Sequence, residues 1–181
     1  MDHSENTLRG IVKALTDVVA PAVDPTDALA QEQLRLSVDY LNFLRTRLDH
    51  LYDRERFELR HNIAMANTIQ VALPGGAANG EKLAAALDHA NRTYSATGLG
   101  INVLRAATAD LGAAIRDVVR ASANYDEPVR RQLNIAVLDA TDDRVRLERA
   151  WYLPLGFDPS PAEVSSLEDL FREAGASQAA Y

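Results

Sequence analysis

The residues best suited to chemistry stand together at Glu58-Leu59-Arg60-His61. Residues three apart on a helix share a face, so a Glu-x-x-His pattern can aim a carboxylate and an imidazole at one metal ion. Di-iron bundles use two such pairs with two further glutamates. Here His3, His50 and His89 have no glutamate three residues before them, so no second pair exists. Glu58 and His61 are candidate metal ligands with an incomplete set around them. A plainer account is also open. Glu58 follows Arg54 by four residues, the spacing of a helical ion pair, and His61 can hydrogen-bond a backbone carbonyl. His50 and His61 would stand ~16 Å apart on an unbroken helix, too far for one metal.

Other clusters have two readings each. Arg45, Arg47, Arg54, Arg56 and Arg60 concentrate positive charge, which suits an anion because guanidinium binds oxyanions bidentately. Asp49, Asp53, Glu55 and Glu58 are interleaved with them, which favours a solvated, charge-laced helix face. Trp151, Tyr152 and Phe157 surround Leu153-Pro154-Leu155-Gly156, as a partner hot spot or as an apolar lid over one end of the fold. No Gly-x-Gly-x-x-Gly, Walker loop or serine nucleophile elbow is present, and Pro74-Gly75-Gly76 lacks a phosphate-binding lysine. The chain has no cysteine, which excludes disulfides, thiolate nucleophiles and cysteine metal sites.

The elements that must position these groups are helical. Leu8, Ile11, Val12, Leu15, Val18 and Val19 mark an amphipathic helix over ~4–20, ended by Pro21 and Asp24-Pro25. Thr26 or Asp27 can cap the next. From Thr26 to Leu73 there is no glycine or proline. Leu34, Leu41 and Leu48 repeat every seven residues, the strongest periodic signal, which puts Leu41 in the core. Continuing the repeat would place Glu55 and Glu58 in the seam, so two helices are expected, ~27–52 and ~56–73, breaking near Asp53–Glu55. The second carries two apolar stripes, Leu59-Ile63-Ala66-Ile69-Leu73 and Phe57-His61-Ala64-Thr68-Val71, and should be packed on both. Asn79 can cap a helix over ~80–96, and another follows over ~101–123. Asp126 before Pro128 starts a helix reaching about Tyr152. Its stripe passes through Asp143 and Arg144, so a break near Asp142 or a β-hairpin at Thr141-Asp142-Asp143 is the alternative. Ser160-Pro161-Ala162-Glu163 reads as the capping box of a last helix ending at Gly175.

With 181 residues, 47% apolar and 25% charged, the composition is that of a globular chain and not a disordered one. The 19 basic and 26 acidic residues leave a net charge of −7, which argues against nucleic acid and anionic membranes as partners. No signal peptide or membrane helix is visible, so a cytoplasmic protein is expected.

Leu8-Arg9-Gly10-Ile11-Val12-Lys13-Ala14-Leu15, followed by Val18-Val19-Ala20-Pro21-Ala22-Val23, resembles the opening of small, uncharacterised bacterial helical proteins. These are encoded beside phosphotransferase-like kinases and acyl-CoA dehydrogenases. The resemblance covers about the first third of the chain and carries no catalytic residue. It implies an accessory role near acyl-CoA metabolism.

The expected fold class is all-α: a single-domain bundle of about six to seven helices over residues 1–181, with 177–181 frayed. The expected function is that of a non-enzymatic interaction or accessory protein, without assigned catalytic residues or cofactor. The alternative is a bundle that binds a small molecule or metal between helices near Glu58 and His61. The expected partners are another protein or a second copy of the chain, as a homodimer through the long helix of residues ~27–52.

Overall fold

The computed structural model describes residues 3–77 and 79–176. Its regular structure is all-α. Seven α-helices are present: α1 (His3–Ala14), α2 (Ala28–Arg47), α3 (Leu51–Ala72), α4 (Gly80–Ser95), α5 (Ile101–Ala121), α6 (Glu127–Tyr152) and α7 (Leu167–Ala176). No strand occurs among the described residues, and none of the helices there is long and apolar enough to cross a membrane. The expected fraying of residues 177–181 lies outside the described residues. Contacts group the chain into two compact units, Met1–Leu51 with Trp151–Val164 and Tyr52–Ala150 with Ser165–Tyr181.

In the first unit α1 continues through a π-helical turn, Leu15–Val19, and a 3-10 turn, Ala20–Ala22, before the chain extends at Val23. Asp27 caps α2 by accepting from the Ala30 amide at 3.0 Å, which satisfies one of the free donors of the first turn. The leucine repeat of α2 is not the core. Leu34, Leu41 and Leu48 are only half-buried, while Phe43 and Arg47 are buried. The Arg47 guanidinium Nε donates to the Trp151 carbonyl at 2.8 Å and its carbon lies 5.5 Å from the ring centres of both Phe43 and Trp151. Its charge is thus hydrogen-bonded and sandwiched by π-faces, which makes its burial tolerable.

The break between α2 and α3 is a 3-10 turn at Leu48–His50, earlier than Asp53–Glu55. Glu55, one of the two charged seam residues, does not end α3, because it has a partner on another helix. Glu55 accepts from Arg105 of α5 at 2.7 Å, and Arg54 donates to Glu148 of α6 at 2.8 Å. A polar group at a packed position is compatible with a helix when it is paired.

The second unit holds the larger core. Leu59, Ile63, Ala66 and Ile69 of α3 pack with Leu83, Leu87 and Ala90 of α4, Leu104, Leu111 and Val118 of α5, and Leu133 and Ala136 of α6. These are the stripes expected from helical spacing. Asn79 holds the N-cap position of α4, but its side chain makes no cap hydrogen bond; its amide donates instead to the Asp117 carbonyl at 3.1 Å. Asp126 does cap α6, accepting from the Val129 amide at 3.2 Å. α6 is one unbroken helix of 26 residues, so neither a hairpin nor a break forms at Asp142. Leu133, Ala136, Leu147 and Ala150 are buried on one helical face, which sets the 3.6-residue period over the local alternation of Val145 and Leu147. Every side chain of residues 141–146 is exposed. α7 starts six residues later than expected. Pro161–Glu163 is an isolated 3-10 turn, and the capping box is Ser166 with Asp169: the Ser166 hydroxyl accepts from the Asp169 amide at 3.1 Å and donates to its carboxylate at 2.7 Å. That start puts Leu167 and Leu170 into the core.

Leu111→Ala, at a fully buried position, is expected to cost about 2–5 kcal/mol in urea denaturation. Leu41→Ala, in the half-buried stripe of α2, should cost markedly less. Equal losses would place the leucine repeat in a core of the same quality.

Candidate functional site

The second apolar stripe of α3 does not end in packed side chains. Phe57, His61, Ala64 and Thr68 form one wall of a cleft of about 550 Å³, closed by α4 and α6. α6 contributes Ala136, Asp139, Ala140 and Asp143, which recur every three or four residues and so share one face. α4 contributes Tyr94 and its neighbours. The volume lies in the range of small-molecule sites, ~300–1,000 Å³. Small side chains on the facing walls, Ala64 against Ala136 and Ala140, leave the space open. Larger ones nearby are held in place. Phe57 meets Phe171 of α7 edge-on at 6.5 Å, and the Arg56 guanidinium lies 4.3 Å from the centre of the Tyr94 ring.

His61 is the distinctive group. It is 7% exposed, and its ring stacks on Phe57 at 6.4 Å with 8° between planes. The expected hydrogen bond to a backbone carbonyl is absent: no hydrogen bond joins its ring nitrogens to any described residue. All fully enclosed side-chain polar atoms in the described protein are hydrogen-bonded, so the imidazole nitrogens are not sealed and open on the cleft. Burial holds the imidazole below its ordinary value of 6.5; Asp143 opposes this, while Arg144 and Arg60 add to it. At neutral pH the ring is uncharged, with one donor and one acceptor.

Glu58, one turn earlier, does not line the cleft. Its carboxyl is pushed up by burial, with Arg144 and Arg54 countering and Glu148 and Glu55 reinforcing. No third histidine or carboxylate joins Glu58 and His61 in a metal-holding cluster among the described residues. The expected Arg54–Glu58 pair is replaced by Arg54–Glu148. Four of the five arginines of the basic stretch take separate partners: Arg47 at Trp151, Arg54 at Glu148, Arg56 over Tyr94 and Arg60 over Phe57 at 5.8 Å. They do not assemble an anion site.

The aromatic cluster of the first unit divides. Trp151 is buried, as a lid would be, whereas Phe157 is 79% exposed. A left-handed turn at Gly156, φ 76°, carries the chain from the 3-10 turn Leu153–Leu155 to Phe157. Phe157 borders a groove of about 350 Å³ with Leu36, Tyr40 and Phe43 of α2 and with Pro154 and Leu155.

Sequence reasoning found the α3 wall but missed Asp139, Asp143 and Tyr94. A signal for α6 existed, since an apolar stripe that runs through Asp143 marks a face that is not wholly packed. The Tyr94 wall had none, because an inward tyrosine reads as core. No family model, curated protein or solved structure matches the chain.

A histidine with a depressed native pKa gives up stability as pH falls through the unfolded value towards the native one, because only the unfolded chain then takes the proton. Glu58 acts in the opposite sense at lower pH, since protonation relieves its buried charge. His61 is therefore expected to titrate below 6.5 by NMR. Between neutral pH and about pH 5.5 the wild type should lose more stability than His61→Gln. A His61 titration at or above the ordinary value would show that the ring is open to bulk water.

Proposed function

We propose that the chain is a non-enzymatic accessory protein that works by binding a small organic molecule in the cleft between α3, α4 and α6. One observation carries this reading: a buried histidine whose ring nitrogens have no hydrogen-bond partner among the described residues and which lines a space of ligand size. Natural proteins pair their buried polar groups, and those left open are commonly met by water or by a ligand. The walls supply the usual mixture of such sites, apolar floor and few polar groups. The resemblance of the opening residues would set this role in the cytoplasm, near acyl-CoA metabolism.

A second reading is favoured by the first unit. Leu29 is 71% and Tyr40 52% exposed on α2, and Tyr40 borders the groove lined by Phe157. Apolar surface of this kind suits a protein partner or a second copy of the chain. The exposed residues are not the leucine repeat, so a homodimer would use the Tyr40 face of α2.

Filling the cleft with Ala140→Trp should abolish the shifts that small-molecule fragments cause in the His61 ring signals, while the melting temperature changes little. Shifts that persist in the filled variant would place binding elsewhere. For the second reading, light scattering on a sizing column should give twice the 19.8 kDa chain mass, and Tyr40→Asp should return it to one. A single-chain mass across micromolar concentrations would rule the homodimer out.

A further inference from the structure

The charges around the cleft are unequal. Asp139 and Asp143 stand one turn apart on α6 and both border it. Asp139 has no ion pair or hydrogen bond with any described residue. Asp143 has only a loose partner, Arg146 of its own helix at 3.7 Å, beyond hydrogen-bond distance. Like charges four apart on a helix face repel, so the pair is disfavoured while the space before it holds only water. Among the described wall residues the cation is Arg60, which belongs to α3 and lies over the Phe57 ring. Tyr94 adds a phenol from α4, and Glu58 and Arg144 stand behind the walls close enough to His61 or each other to be felt electrostatically.

We infer that this cleft takes an organic amine, its ammonium group donating to the open nitrogen of His61 under the carboxylates of Asp139 and Asp143, and its apolar body lying along Ala136 and Ala140. The inference rests on the proposed reading of the cleft as a binding site and specifies its ligand. Three alternatives fit less well. A carboxylate or phosphate would be repelled by both carboxylates of α6, and among the described wall residues the countercharge is Arg60, already placed over Phe57. A metal ion needs ligands at about 2.0–2.6 Å, and the described histidines and carboxylates do not close to such a cluster. A wholly apolar molecule would cover the His61 nitrogens and leave them unpaired. An ammonium avoids all three costs. It supplies donors to a neutral imidazole, which is an acceptor on one nitrogen, and it relieves the repulsion on α6.

Hexylamine, hexanol and hexanoate share one chain length and differ in head group, and each can be titrated while the His61 ring signals are followed by NMR. Hexylamine should saturate at concentrations about tenfold below hexanol, with hexanoate weakest, the factor expected of a charge-assisted hydrogen bond. The double variant Asp139→Asn with Asp143→Asn, at two exposed positions, should erase the amine's advantage over hexanol. If hexanol or hexanoate binds as well as hexylamine to the wild type, the amine assignment is wrong and the cleft remains a binding site. If none of the three moves the His61 signals, both the amine assignment and the reading of the cleft as a binding site fall.

Discussion

A helix with two apolar faces must satisfy both, and α3 does so in two different ways. Leu59, Ile63, Ala66 and Ile69 are buried in the core of the second unit. The other face begins with Phe57 and His61 and then shrinks to Ala64 and Thr68. Shrinking side chains on one wall meet alanines on another, and the helices cannot collapse because Phe57 and Tyr94 are themselves held by Phe171 and Arg56. The cleft is the remainder of that packing problem. Its polar character follows as well, because a histidine placed on a face that closes only partly keeps its nitrogens open.

Charge plays a different part from apolar burial. Among the described residues, ion pairs between helices of the second unit, Arg54–Glu148, Arg105–Glu55, Lys82–Asp117 and Arg146–Glu173, join α3 to α6, α3 to α5, α4 to α5 and α6 to α7. Partly exposed pairs contribute ~0–1 kcal/mol each, less than a single buried leucine at about 2–5 kcal/mol. Their effect is on register. They fix which turn of one helix faces which turn of the next, and so where His61 stands relative to Asp143.

The fold class was legible from spacing, because α3, α4, α5 and α6 each repeat their buried residues every three or four positions and leave polar residues between. The leucine repeat of α2 misled for a physical reason. Periodicity reports which side of a helix is apolar and says nothing about how much partner surface exists to cover it, so Leu41 is half-buried while the irregularly placed Arg47 is buried. The kink position was hidden similarly: Glu55 looked like a break until Arg105, fifty residues later, was placed beside it. Long-range pairing of this kind leaves no local trace. His61 was legible as a residue of interest, but its missing hydrogen bond was not, since that depends on which atoms α4 and α6 place opposite it. Asn79 and Ser160 both match the cap pattern, but the Asn79 side chain turns to the Asp117 carbonyl and the last helix takes its cap from Ser166.

The exposed stretch of α6 has a dynamic consequence. Over residues 141–146 no side chain is buried, so the backbone there is held by its own hydrogen bonds with little help from packing. An unpacked helical segment of that length is marginal by itself, since helix stability in proteins comes mostly from burial of one face. Fluctuational opening should therefore concentrate in this part of α6, and amide hydrogens should exchange fastest there within the helix. Asp143 belongs to this stretch and borders the cleft. The wall that meets a ligand would thus be the most yielding turn of an otherwise anchored helix, and occupancy of the cleft would register as slowed exchange at those amides.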